Sequence, residues 1–200
     1  MTSKKFKTNF MLLGFVSLIV LIYSYFLSTN KGSKKIEDGI QISNQPNNLD
    51  LESGITKFAN VEYNSTDNKN RAYRTQAKQA FLNKKKPDLI LLKTVKSTTT
   101  LKDGSDLIIM SDNAKYFKNS KNIEYMSNVK IINKEISITA ELAKFIPSKN
   151  IIRLEKNVVL KDINNTIKGD IVELDTLTND LQIFMNNKKN KVYGQRKQKN

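Results

Sequence analysis

Three times between residues 107 and 184 the chain repeats one pattern, at a spacing of 29 residues. Laying 107–131 over 135–160 and 164–187 aligns Ile109/Ile138/Ile167, Ser111/Ala140/Gly169, Ala114/Ala143/Val172 and Tyr116/Phe145/Leu174. The columns continue with Ile123/Ile152/Leu181, Tyr125/Leu154/Ile183 and Asn128/Asn157/Asn186, and Val129/Val158 and Ile131/Leu160 extend the first two copies. A fixed period of this size marks stacked supersecondary units. Within a copy apolar residues fall two apart, as in Ile123-x-Tyr125 and Ile152-x-Leu154, which is the alternation of a strand with one face in and one face out.

Turn chemistry cuts each copy into two strands. Lys118-Asn119-Ser120-Lys121, Pro147-Ser148-Lys149-Asn150 and Thr178-Asn179-Asp180 interrupt the copies at matching places. Asn and Asp tolerate left-handed backbone, and Pro fixes φ. The unit is therefore strand, turn, strand, and the whole an antiparallel meander beginning near Ile55. A weaker copy upstream, at an offset of 34, sets Ala77, Ala80, Leu82, Leu89, Leu91 and Val95 over Ser111, Ala114, Tyr116, Ile123, Tyr125 and Val129. Its extra length fits a larger turn at Asn83-Lys84-Lys85-Lys86-Pro87.

The chain's 200 residues include no His and no Cys. That removes Cys/His zinc sites, His-based triads and thiol nucleophiles. No Gly-rich phosphate loop is present. Acids such as Asp103, Asp112, Glu124, Glu141, Glu155, Asp170 and Glu173 sit on polar faces between apolar positions, the pattern of solvated strands rather than of paired catalytic carboxylates. No enzyme activity, cofactor or metal is expected. Lys and Arg number 34 against 19 Asp and Glu, for a net charge of +15. Part of that excess reflects a composition rich in Lys, Asn and Ile; the remainder points to an anionic partner.

Residues 1–9 are basic, and 10–27 form an 18-residue run without a charge, FMLLGFVSLIVLIYSYFL. As a helix rising ~1.5 Å per residue, the run reaches about the hydrocarbon thickness of a bilayer. No small-residue cleavage site follows it, so the expectation is an uncleaved anchor rather than a signal peptide. Charges flanking the run are nearly balanced and tip towards an N-terminus inside. Residues 28–54 read as a linker, 55–185 as the β domain and 186–200 as a solvated basic tail.

One apolar row recurs through the copies: Leu91, Ile109, Tyr116, Ile123, Tyr125, Val129, Ile138, Phe145, Ile152, Leu154 and Val158. In a closed sandwich this row is core. In a folded sheet open along one side it would line a groove able to shield acyl chains from water, with Lys118, Lys121, Lys149 and Lys161 at the rim. The third copy loses its apolar pair after Asn186, so the expected last strand, with Leu181, Gln182, Ile183 and Phe184, is a free edge on which a partner could add a strand.

Several stretches together resemble the LptC family, the inner-membrane-anchored component C of the lipopolysaccharide export machinery. They are the single anchor, Val61-Glu62-Tyr63-Asn64-Ser65-Thr66-Asp67, Tyr73-Arg74-Thr75-Gln76-Ala77-Lys78-Gln79-Ala80 and the repeated Asn128-Val129. The resemblance implies an all-β, twisted antiparallel β-jellyroll behind one transmembrane helix, standing in the periplasm and without catalysis. It implies that lipopolysaccharide arrives from an inner-membrane ABC transporter complex and leaves to a periplasmic bridge protein of related fold. Two departures stand out: mid-domain glycines are few, with Gly104 and Gly169 as candidates, and the basic tail is unexpected. An anchored adaptor with a filled core is the alternative. Nucleic-acid binding by the tail is remote, because the domain has no base-stacking motif.

Overall fold

The computed structural model describes residues 39–42, 49–50, 54–67, 69–186 and 192–196, all within the compact unit Ile36–Asn200. The 10–27 run and its expected helix lie outside the described residues, among which no helix is long and apolar enough to cross a membrane.

The described residues form one antiparallel sheet of 12 strands. Its body is a meander of long strands: β3 (Ile55–Thr66), β4 (Ala72–Asn83), β5 (Leu89–Thr100), β6 (Asp106–Phe117), β7 (Ile123–Asn133), β8 (Ile136–Ile146), β9 (Ile151–Lys161) and β10 (Asn165–Asp175). Short strands finish both margins. β1 (Gly39–Ile42) and β2 (Leu49–Asp50) pair with β3, so part of the expected linker belongs to the sheet. β11 (Leu181–Phe184) and β12 (Tyr193–Arg196) share the far side of β10.

β12 corrects the expectation that the third copy ends at Asn186. Ile109 pairs with Ile131, Ile138 with Leu160 and Ile167 with Gly194, so Gly194 fills the column of Ile131 and Leu160. It does so five positions beyond the place that the 29-residue spacing assigns. The third copy carries an insertion and then resumes.

A line of irregularities crosses the sheet at mid-strand. Asn60 in β3 and Thr94 in β5 have φ of 50° and 52°. Ser127 and Asn128 in β7 (64°, 53°) and Lys156 and Asn157 in β9 (67°, 55°) form left-handed pairs. The register shifts beside these pairs, between Met126 and Val129, Thr139 and Leu142, and Gly169 and Ile171. An extra residue in one strand bends it and adds twist. Repeated in neighbouring strands, the bulges make a crease, and the sheet folds along it into two facing halves.

Contacts between strands that are not neighbours show the closure. Tyr63 of β3 meets Tyr116 of β6 with ring centroids 4.5 Å apart, and Tyr73 of β4 stands edge-on to Phe145 of β8 at 5.3 Å. Residues facing inward on both halves are the core. Ile123, Tyr125, Ala143, Ile152 and Leu154 are fully buried, and Leu107, Val129, Ile131, Val158 and Val172 nearly so. The result is an all-β fold of jellyroll type. The small-residue column Ser111/Ala140/Gly169 lies at the crease, where space is short: a Cβ built on Gly169 would stand 2.5 Å from Ile183 Cγ2.

Candidate functional site

Between the halves, on the β3–β6 side, lies an apolar cavity of about 130 Å³. Phe58, Val61 and Tyr63 of β3, Ala77, Ala80 and Leu82 of β4, Ile90 and Leu92 of β5 and Tyr116 of β6 line it. Thr75 lies in its wall as well, and Lys118, just beyond β6, is its one cation. Register explains the lining: Phe58 pairs with Ala80, Ala80 with Leu92, Leu82 with Ile90 and Ile90 with Tyr116, so these side chains share a face. The Lys118 backbone N–H donates to Asp88 O at 2.9 Å, tying the turn after β6 to the turn before β5. Among the described residues no carboxylate pairs with the Lys118 ammonium.

Three hydroxyls sit deeper in the fold. Tyr125 Oη donates to Ser97 Oγ at 2.7 Å, and Ser97 Oγ is 2.8 Å from Thr75 Oγ1. Burial pushes the Tyr125 phenol well above the usual tyrosine range, with the bonds to Ser97 and Thr75 opposing it. The phenol therefore stays neutral, and the set acts as a short polar crossbar in an apolar interior.

Of the row expected from sequence, only Tyr116 borders this cavity. Ile109, Tyr125, Phe145 and Ile152 surround a much smaller space of about 10 Å³ next to Ser97. Ile123, Val129, Ile138, Leu154 and Val158 pack into the core, each 2% exposed or less. Leu91 is a correction. It is 44% exposed on the outer face, while Ile90 and Leu92 point inward. The cause is the crease: β5 crosses it with one left-handed residue, Thr94, whereas β7 crosses with two. An alignment that carries Val95 onto Val129 is therefore one residue out before the crease. Of the four lysines expected at a rim, Lys118 lies at the cavity; Lys149 belongs to the 3-10 turn after β8 and Lys161 ends β9 on the exposed side.

Sequence reasoning also missed Arg71. From the β3–β4 turn its Nε donates to Asp67 Oδ2 at 2.7 Å and its Nη2 to Thr176 Oγ1 at 2.9 Å. Its Nη1 donates to the Thr176 carbonyl, and Nη2 stands 3.3 Å from Asn150 Oδ1. Thr176 in turn donates from N and Oγ1 to Asn150 O, at 2.8 and 3.0 Å. One guanidinium thus clasps the first turn of one half to the last turns of the other. The expected edge segment 181–184 pairs with β10 along one side and, among the described residues, has no strand on its other side.

Comparison with curated proteins finds no match. Among solved structures the fold is similar to LptH, the LptA-homologous periplasmic component of the conserved lipopolysaccharide transport device from Pseudomonas aeruginosa. The identity is 11% and the TM-score 0.38, over 79% of this chain and 94% of that one. The family model for lipopolysaccharide assembly, LptC-related, matches residues 47–158, from β2 to the far side of the crease in β9. With more than half of its length matched, the chain belongs to the LptC-related lipopolysaccharide-assembly family.

Proposed function

We propose that this protein is a membrane-anchored, non-enzymatic carrier that receives lipopolysaccharide from an inner-membrane ABC transporter complex and passes it to a periplasmic bridge protein of related fold. The cavity between the halves carries the reading. Its apolar walls suit acyl carbons, and Lys118 at its margin suits a phosphate. At about 130 Å³ it compares with the ~150 Å³ cavities that admit a benzene-sized ligand. The closed form therefore accepts a few methylene groups, and a whole acyl chain requires the halves to part. In the same reading β11 is the docking edge for the bridge protein, and residues 10–27 hold the domain at the membrane as a single pass.

The dense packing of Ile123, Tyr125, Ile152 and Leu154 favours the second reading, an anchored adaptor with a filled core. Ala80→Phe separates the two, because it fills the cavity from its wall. A carrier loses capture of lipopolysaccharide by the purified domain while its circular dichroism stays unchanged. Unchanged capture in a folded variant contradicts the cavity as the binding site.

A further inference from the structure

The outer face of β3–β6, opposite the cavity, carries exposed Leu91 and half-buried Phe81 among lysines. Lys57, Phe81, Leu91 and Lys115 stand side by side in one register row across four strands, and Lys93 occupies the next row. Leu91 is 44% exposed. Lys57 Nζ and Lys93 Nζ lie 5.8 and 5.5 Å from the centroid of the Phe81 ring. The exposed turn Lys84-Lys85-Lys86 joins β4 to β5 at the end of this face.

Anionic groups are scarce there. Among the described residues no acid forms an ion pair with Lys57, Lys93 or Lys115. Glu124, across from Lys115, is held by Lys144 at 3.2 Å, and Asp88 is the acid of the nearby turn.

We infer that this face rests on an anionic phospholipid bilayer, with the lysines at the phosphates and Leu91 and Phe81 at the headgroup boundary. Lysine stems can lie along apolar surface while their ammonium groups reach the phosphate layer. Basic residues near an anionic surface each add to the attraction, so a cluster suffices without a deep pocket. Leu91 and Ile55 are exposed on this face and Phe81, Leu89 and Phe117 half-buried, a small apolar area beside the roughly 800 Å² per partner of a stable protein interface, which favours a lipid surface over a protein. The inference is separate from the lipid-transfer reading, because it concerns the opposite face of the sheet.

Co-sedimentation of the Ile36–Asn200 unit, which contains the whole described core, tests it. The vesicles are phosphatidylcholine with phosphatidylglycerol at about 3:1, against phosphatidylcholine alone. The triple variant K57E/K93E/K115E should lose at least about tenfold in binding to the anionic vesicles. L91S should lose about threefold. The charge-matched triple K96E/K130E/K168E, on the outer face beyond the crease, should change binding by less than about threefold. Circular dichroism checks that each variant folds. Absence of anionic-vesicle binding by the parent, or equal losses from both triple variants, overturns the inference. So does loss of a soluble export protein from the K57E/K93E/K115E variant with vesicle binding intact, which would assign the face to a protein.

Discussion

Asn128 donates from Nδ2 to the Asp112 carboxylate at 2.7 Å, across the crease between β6 and β7. The arrangement recurs 29 residues on, where Asn157 Nδ2 donates to Glu141. In the third copy the Asn186 backbone N–H donates to Asp170 Oδ2 at 2.8 Å. Each acid stands 16 residues before its asparagine. Asn128 and Asn157 are thus bend residues: each accepts left-handed backbone and fastens its bulge to the neighbouring strand.

Substitution at Asn128 or Asn157 therefore acts on both backbone and hydrogen bond. Asn128→Gly keeps the left-handed conformation and loses only an exposed bond, for about 0.5–1 kcal/mol. Asn128→Val adds the strain of a β-branched residue at positive φ, for about 2–3 kcal/mol in all. Urea denaturation measures both. Equal losses would mean that the backbone conformation carries no cost.

The repeat was legible because strand alternation and turn residues recur at one spacing. The acid column Asp112/Glu141/Asp170 was equally regular, but its members read as solvated strand residues; their partners become visible only when the bulges bring the two columns together. Leu91 failed for a local reason, the single left-handed residue at Thr94. Arg71 had no signal at all, since its partners Asn150 and Thr176 are 79 and 105 positions away. β12 was hidden by an insertion among lysines, and four residues are too few to show a period.

Arg71→Ala should destabilise the domain by about 2–4 kcal/mol. Breaking a buried ion pair usually costs about 3–5 kcal/mol, and here Asp67 keeps the backbone N–H groups of Lys69 and Arg71, at 2.8 and 3.0 Å. Arg71→Lys should recover little, because an ammonium cannot span Asp67, Asn150 and Thr176 together. Full recovery by lysine would reduce the clasp to a point charge.

Acid should weaken the fold below about pH 4. The Asn64 side chain, then Gln76, holds Glu62 below the usual carboxylate range, and the Asn165 side chain with the backbone N–H groups of Asn164 and Asn165 does so for Asp162. The Lys134 ammonium, then Ser105, does the same for Asp103. A depressed carboxylate contributes stability above its unfolded pKa and loses it as pH falls through the lower folded value. Asp162→Asn should therefore flatten the acid limb of a stability–pH curve while lowering the neutral plateau. An unchanged limb would assign the acid sensitivity elsewhere.

Gly169→Val should displace Ile183, because the added Cβ begins 2.5 Å from Ile183 Cγ2. That loosens β11 from β10 without opening the core on the β3–β6 side. Pull-down of the bridge protein should weaken at least about tenfold if β11 is its docking edge. A folded variant that binds at parental strength would place docking elsewhere.

Tyr63 and Glu62 are neighbours in β3 with opposite outlooks: Tyr63 lines the cavity, whereas Glu62 accepts from Asn64 and Gln76 on the outer side. Replacing each in turn by a photo-reactive phenylalanine analogue, irradiating cells and probing for lipopolysaccharide tests the cavity directly. A lipopolysaccharide adduct is expected from position 63 and none from position 62. Equal labelling at both positions, or an adduct from position 62 alone, would contradict a lipid path between the two halves of the sheet.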